Sequence, residues 1–222
     1  MILATMFVSS LKINEDDNRD NMDLIFDLPN HVKVNNQDIV ENIQKKTHLD
    51  TSYINNHIEN LVSDNLMHGD KKTLTELGRN SLRVVLTGGV FDIIHPGHIH
   101  TLSSAKKLGD VLVVVIATDL TVQKMKKRTP LHTQEQRKQL IESLRMVDLC
   151  LIGHEDDIFK TVNMVKPQII ALGYDQVHQE KFILDGCKKI NLDIKVARLQ
   201  SSVPQISSTD IEKKYGDEIH ET

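Results

Sequence analysis

The chain of 222 residues is long enough for one large or two small domains with a buried core, and its 39% hydrophobic and 26% charged residues are those of a globular protein. No apolar run approaches the about 20 residues of a membrane span. The two cysteines, Cys150 and Cys187, lack C-x-x-C spacing, which argues against a zinc site or a disulfide and suits buried thiols in a reducing, cytoplasmic setting.

Met1 to Ser10 is apolar but has no basic flank or small-residue cleavage site, so a buried first strand or helix is expected rather than a signal peptide. Residues 11–23 are polar and acidic and read as a loop or linker. From Asp38 the pattern predicts a short helix, then a second one capped by Asp50 or Thr51, with Tyr53, Ile54, Ile58, Leu61 and Val62 at helical spacing. Leu66 to Thr75 reads as a hairpin around Gly69-Asp70, and Thr75 to Arg79 opens a closing helical segment. That order resembles a small winged helix-turn-helix domain over residues 1–82. DNA is a possible partner but is not favoured. Residues 1–82 carry 8 Lys+Arg against 13 Asp+Glu, and no Lys or Arg lies between Asp50 and Asn65, so only Lys71, Lys72 and Arg79 are available for phosphate contact. Dimerisation or substrate gating suits the module better.

Residues 83–222 alternate strands and helices. Strands are expected at Val84–Thr87, Val111–Thr118, Leu149–Gly153, Ile169–Leu172 and Asp193–Leu199. Helices are expected at His98–Lys107, Asp119–Lys126, Thr133–Leu144, Asp157–Val165 and Gln179–Asn191. Such alternation predicts an α/β, doubly wound (Rossmann-like) parallel sheet, with its site outside the carboxyl ends of the strands.

The segment Val84 to His98, VVLTGGVFDIIHPGH, lies at such an end. It reads as a buried strand, a sharp turn at Gly88-Gly89, a short apolar bridge and a helix opening at His98. His95 and His98 flank Pro96 and Gly97 beside a helix start, where free backbone N–H groups favour anions. The pattern is one for binding phosphate.

Gly89-Val90-Phe91-Asp92, followed by His95-Pro96-Gly97-His98, resembles the G-x-F-D-x-x-H-x-G-H signature of the nucleotidyltransferase superfamily that includes cytidylyltransferases and archaeal FAD synthases. The resemblance implies transfer of a nucleotidyl group from a nucleoside triphosphate, ATP or CTP, to a phosphorylated acceptor, with release of pyrophosphate and with Mg2+ or another divalent cation. It assigns His95 and His98 to the triphosphate, and Gly89, Val90, Phe91, Pro96 and Gly97 to the nucleotide-facing loop. Relatives often have Thr, Ser or Cys in place of Val90, so a hydroxyl is lost there. Asp92 either belongs to the site or holds the turn through backbone N–H groups.

Lys124-Met125-Lys126-Lys127-Arg128 reads as a solvated basic face or, by the resemblance, as the segment whose lysine reaches the triphosphate. Lys126 is the matching position, and Lys127 stands where relatives often carry Gly. Glu135-Gln136-Arg137 resembles the family's E-x-R element, which gives Arg137 a supporting role at the nucleotide loop or a subunit interface. Arg145 to Asp148 resembles its R-x-V-D segment. Leu172-Gly173-Tyr174-Asp175-Gln176 resembles the L-G-Y-D-Q of archaeal FAD synthases, with Asp175 facing nucleotide or its metal. In Ile206 to Ile211, Ser208 and Thr209 either cap a helix or hold phosphate, like the family's I-S-T-T/S element. A cysteine pair usual in archaeal FAD synthases is absent here, where the chain reads Gln200-Ser201-Ser202-Val203-Pro204.

These readings favour FMN adenylyltransferase activity. The alternatives are a cytidylyltransferase for glycerol 3-phosphate, a sugar-phosphate adenylyltransferase, and a nucleotide-sensing DNA-binding regulator. A homodimer is expected by analogy with relatives.

Overall fold

The computed structural model describes residues 2–17, 36–71, 73–174, 176–200 and 211. The chain divides into two compact units, Met1–Arg83 and Val84–Thr222.

In the first unit, α1 (Ile2–Asp17), α2 (Asn36–Thr47) and α3 (Thr51–Ser63) pool Ile2, Met6, Ile39, Ile43, Ile54, Ile58 and Leu61 in one core. The apolar start of the chain is therefore a helix. It also continues to Asp17 through part of the stretch expected to be a loop; residues 18–23 of that stretch lie outside the described residues. Asp50 caps α3 by accepting from the Ser52 N–H at 2.8 Å. The expected hairpin is reduced to a single antiparallel bridge, Met67 to Leu74, followed by α4 (Glu76–Asn80). Its closing helix packs against the hairpin's start, for a Cβ on Gly78 would lie 1.8 Å from the Leu66 carbonyl oxygen. Lys71 is ion-paired with Glu59, and the Arg79 guanidinium sits 4.5 Å above the Phe7 ring. Two of the three cations expected in the wing thus have contacts within the unit, while the third, Lys72, lies outside the described residues.

The second unit is a five-stranded parallel sheet in the order β3-β2-β1-β4-β5, with β1 Val84–Gly89, β2 Val111–Ile116, β3 Leu149–Ile152, β4 Ile169–Leu172 and β5 Lys195–Arg198. The helices between them are α5 (Pro96–Lys106), α6 (Asp119–Lys126), α7 (Gln134–Glu142), α8 (Ile158–Val165) and α9 (Glu180–Lys189). Alternate residues of four strands, Val85, Leu112, Val114, Ile116, Cys150 and Ala171, join Leu102, Ala105 and Ile141 in one cluster. Val84, Leu86, Val111, Val113, Leu149, Leu151, Ile170 and Leu172, of opposite parity, are buried as well. A sheet covered on both faces is the parallel arrangement that continuous apolar strands predict.

The winding reverses at β1. From β1 the chain moves outward through β2 to β3, then crosses back to β4 on the other side of β1. The crevice outside the carboxyl ends of β1 and β4 is the topological switch point, where ligands bind in open α/β sheets. Thr87 in β1 spans it, its hydroxyl donating to the Ala171 carbonyl at 2.9 Å.

Candidate active site

The glycine pair is not a turn. Gly88 and Gly89 stay in β1, in register with Val115 and Ile116, and no described glycine has a positive φ. The chain turns after them, with Phe91 in the left-handed region at φ 54°. The cause is the neighbouring strand, whose six-residue ladder holds both glycines extended. Gly89 serves a steric purpose instead: a Cβ there would lie 2.9 Å from Cε2 of the Phe91 ring, which is folded back and buried.

The helix also opens earlier than expected, at Pro96, with His95 as its N-cap residue. Proline at the first helical position presets φ and has no N–H to leave unpaired. The His95 carbonyl accepts from the His98 N–H at 2.9 Å and the Ile99 N–H at 3.3 Å, while its imidazole makes no capping bond. The His95 and His98 ring centroids are 3.9 Å apart, and the Phe91 ring is tilted against His98 at 5.1 Å.

Both rings have a buried Nδ1 with no hydrogen-bond partner among the described residues. Burial lowers the His95 pKa. It lowers His98 further, to about 4, with the His95 and Lys126 charges adding to the effect and a hydrogen bond at the Ile93 backbone opposing it. Both imidazoles are therefore neutral near pH 7, each with one N–H to donate and one lone pair. Lys126, in the last turn of α6, is close enough to act on His98 through its charge. The structure thus brings His95 and His98 together at the N-terminus of α5, with the Lys126 charge acting on His98.

The loop that follows α6 is tied down from beneath. Lys127 ends α6 in the left-handed conformation, φ 59°, which suits the glycine that relatives often carry there. Asp92, 1% exposed, accepts from the Arg128 guanidinium at 2.8 Å and from the backbone N–H groups of Leu131 and His132 at 3.1 and 3.0 Å. Burial acts to raise the Asp92 pKa, but these donors and the Arg128 charge outweigh it and hold the carboxyl below its usual range. Its contacts reach across about forty residues of sequence rather than within its own turn. Arg137, wholly buried in α7, donates to the carbonyl oxygens of Val90 and His132 at 2.7 and 3.0 Å and to the Asp119 carboxylate at 2.6 Å. Full burial takes it away from any subunit surface. A Thr133/Gln136 capping box fixes the start of α7 that aims it.

At the end of β4, the Gln176 side chain accepts from the Gly173 N–H at 3.0 Å and donates to the Gly88 carbonyl at 3.2 Å, bridging the two strands at the switch point. Asp175, Ser208 and Thr209 lie outside the described residues. Asp148 sits away from the motif, accepting from the Leu112 N–H at 2.7 Å and from Lys106 at 2.5 Å.

The motifs assign neither Arg128, His132 nor Asp119 to this framework, whereas Gln176 lies in the Leu172–Gln176 motif at this sheet edge. Arg128 is hidden in a run of cations whose other members give no sign of which one turns inward. The contacts of His132 and Asp119 depend on loops that meet only in the folded chain.

A family model for cytidylyltransferase-like proteins matches residues 86–214, more than half of the chain. The chain belongs to the cytidylyltransferase-like family. It is 49% identical over 131 residues to the FAD synthase of Picrophilus torridus, covering 59% of this chain and 94% of that protein. It is 47% identical over 133 residues to the FAD synthase of Aciduliprofundum boonei, covering 60% of this chain and 80% of that one. Among solved structures, the "lipopolysaccharide core biosynthesis protein" of Thermoplasma volcanium is 43% identical with a TM-score of 0.52, covering 54% of this chain and 98% of its own. Family membership makes the chain a nucleotidyltransferase. No helix among the described residues is long and apolar enough to cross a membrane.

Proposed function

We propose that this nucleotidyltransferase transfers AMP from ATP to FMN, producing FAD and pyrophosphate. The observation that carries the reading is the 49% identity to an FAD synthase over nearly that protein's whole length. An FMN phosphate oxygen attacks the α-phosphorus of ATP, a new P–O bond forms, and the bond to the pyrophosphate oxygen breaks. Since the attacking phosphate is already anionic, no base is obligatory; catalysis rests on alignment and on stabilising charge as it builds. His95 and His98, held by α5 and the Phe91 ring, donate N–H groups to phosphate oxygens, and Lys126 supplies a full charge.

The described residues include no group of three His, Cys, Asp or Glu able to cage a cation. Asp92 and Asp119, the carboxylates of the loop framework, are already engaged by arginines. This donor set suits Mg2+ or another divalent cation held mainly by triphosphate oxygens, where it would neutralise leaving-group charge. Asp175 and the Ser208-Thr209 pair complete the nucleotide site in this reading.

The test is pyrophosphate release with Mg2+, crossing ATP and CTP against FMN, glycerol 3-phosphate and a sugar phosphate. Release with ATP and FMN is the expected result. Release only with CTP, or only with another acceptor, replaces the substrate assignment.

A further inference from the structure

The pairing of β1 with β4 stops early. On its other side β1 stays level with β2 as far as Gly89 and Ile116, but its register with β4 ends at Leu86 and Ile170, although β4 runs on to Leu172. The same register, continued, would set Gly88 opposite Leu172. The Gly89 carbonyl accepts from the Ala117 N–H on the β2 side, so Gly88 faces β4; the Leu172 carbonyl accepts from the Leu199 N–H on the β5 side, so Gly173 faces β1. In a parallel ladder the next rung would therefore run from the Gly173 N–H to the Gly88 carbonyl.

The Gln176 side chain stands in that rung. Its Oε1 accepts from the Gly173 N–H at 3.0 Å and its Nε2 donates to the Gly88 carbonyl at 3.2 Å. These partners fix which way the amide points, since only the oxygen can accept and only the nitrogen can donate. The neighbouring β4 carbonyl, Ala171, is held by the Thr87 hydroxyl. Side chains thus join the two strands beyond Leu86 and Ile170. Strands bonded directly lie about 4.8 Å apart, and an amide inserted between donor and acceptor holds them wider, at the switch point where ligands enter such sheets.

The donor end of Gln176 also bears on the motif. Three successive carbonyls ahead of the left-handed Phe91 are each held by a different element: Gly88 by Gln176, Gly89 by the Ala117 N–H at 3.0 Å, and Val90 by Arg137 at 2.7 Å. Gln176 is the member of this set that reaches in from the β4 side. The Phe91 ring then rests against His98.

We propose that Gln176 is a positioning residue for nucleotidyl transfer, whose amide replaces one rung of the β1–β4 ladder, keeps the switch point open and sets the backbone that carries Phe91 and His98. This rests on the nucleotidyl-transfer reading above. Without the amide the ladder can close, Gly173 N–H directly on the Gly88 carbonyl, so the strands remain paired while the motif shifts. A displacement of about 1 Å at reacting groups can cost about 100-fold in rate.

The test compares full-length wild type with Gln176→Ala, which removes both bonds, and Gln176→Glu, which keeps the acceptor for Gly173 but has no donor for Gly88. Both variants are expected to lower kcat for pyrophosphate release from ATP and FMN about ten-fold or more, with a thermal midpoint within about 4 °C of wild type. A residue that only closes the turn after β4 would be rescued by glutamate, so wild-type kcat in either variant overturns the proposal. Should the variants not fold, cross-hydrogen-bond NMR couplings in isotope-labelled wild type decide. A coupling from Gln176 Nε2 to the Gly88 carbonyl carbon is expected, and one from the Gly173 amide nitrogen to that carbon instead overturns it. If wild type uses a different triphosphate or acceptor, the FMN reading falls and the same comparison with that pair judges Gln176. A wild type that uses no pair overturns both.

Discussion

Arg137 donates from Nη1 to the carbonyl oxygen of Val90 at 2.7 Å, so a helix forty-seven residues away fixes the backbone of the motif loop. The same guanidinium holds the His132 carbonyl and the Asp119 carboxylate, and no part of the side chain reaches solvent. Replacing it with methionine leaves the Val90 and His132 carbonyl oxygens without this donor and the Asp119 carboxylate, 32% exposed, to water. The expected cost is about 1–3 kcal/mol, the usual result of leaving part-buried acceptors unpaired, read as a lower midpoint in urea. Lysine, with one nitrogen in place of a planar fork, should recover only part of it.

Asp92 is the buried anion of the same loop framework, paired with Arg128. Asparagine in its place keeps the volume but turns an NH2 toward donors, which predicts a loss of about 3 kcal/mol and a displaced loop after α6. The pH dependence is separable. Because the folded carboxyl is held below its ordinary value, its contribution is complete above the unfolded pKa near 3.9 and fades as pH falls through the folded one. Acid unfolding followed below about pH 4 should therefore lose part of its steepness in Asp92→Asn. Identical acid limbs would mean that Asp92 is not ionised in the fold.

The two strand glycines make a contrasting pair. A methyl on Gly89 lands on the Phe91 ring, which rests against His98, so Gly89→Ala is expected to cost about 1–3 kcal/mol and to lower kcat by moving the imidazole. At Gly88 the nearest atom to an added Cβ is the Val115 carbonyl oxygen at 3.4 Å, an ordinary contact. Gly88→Ala should change stability by less than about 1.5 kcal/mol and leave turnover close to wild type. Equal damage from both would argue that the pair acts through backbone freedom after all.

Lys127 offers a gain. A β-carbon in the left-handed conformation costs roughly 1–2 kcal/mol, of which glycine's greater unfolded-state entropy gives back part. Lys127→Gly is thus expected to stabilise the chain by about 0.5–1 kcal/mol, seen as a raised thermal midpoint, with kcat unchanged if Lys126 alone meets the triphosphate. A large loss of kcat would transfer the phosphate contact to Lys127.

The sheet was legible because each of its strands is a short apolar run separated from the next by a helical pattern, and parallel pairing then follows from chain order. The His95/His98 pair was legible as residue types at a fixed spacing. What the pattern misplaced is backbone geometry decided by neighbours. Gly88-Gly89 is permissive of a turn, yet pairing with Val115 and Ile116 keeps it extended and passes the left-handed residue to Phe91. The framework of Asp92, Arg128 and Arg137 was only partly visible, since a buried arginine and a surface one look alike in sequence. In the first unit a hairpin signal around Gly69-Asp70 yields one bridge, because Gly78 lets α4 close on Leu66 so soon after it.

His98 brings stability and chemistry to one group. In the folded chain its pKa lies at about 4, against an ordinary value near 6.5, so the unfolded state takes up the proton first as pH falls. Its neutral form favours folding fully above about pH 6.5, and that contribution is lost progressively down to about pH 4, a window above the one set by Asp92. His98→Gln, which does not titrate, should flatten the stability profile between those limits. Turnover should change in the other sense. Loss of a preorganised donor to a phosphate oxygen costs about 2.7–4 kcal/mol, or 10²–10³ in kcat, in His98→Ala. A bound triphosphate places anionic oxygens beside the ring and favours its charged form, so the imidazole pKa should rise on adding a non-hydrolysable ATP analogue, measurable by NMR titration of the ring protons. If the titration midpoint stays fixed while the analogue binds, His98 does not face the triphosphate and the loss of turnover in His98→Ala must come from misplacing His95.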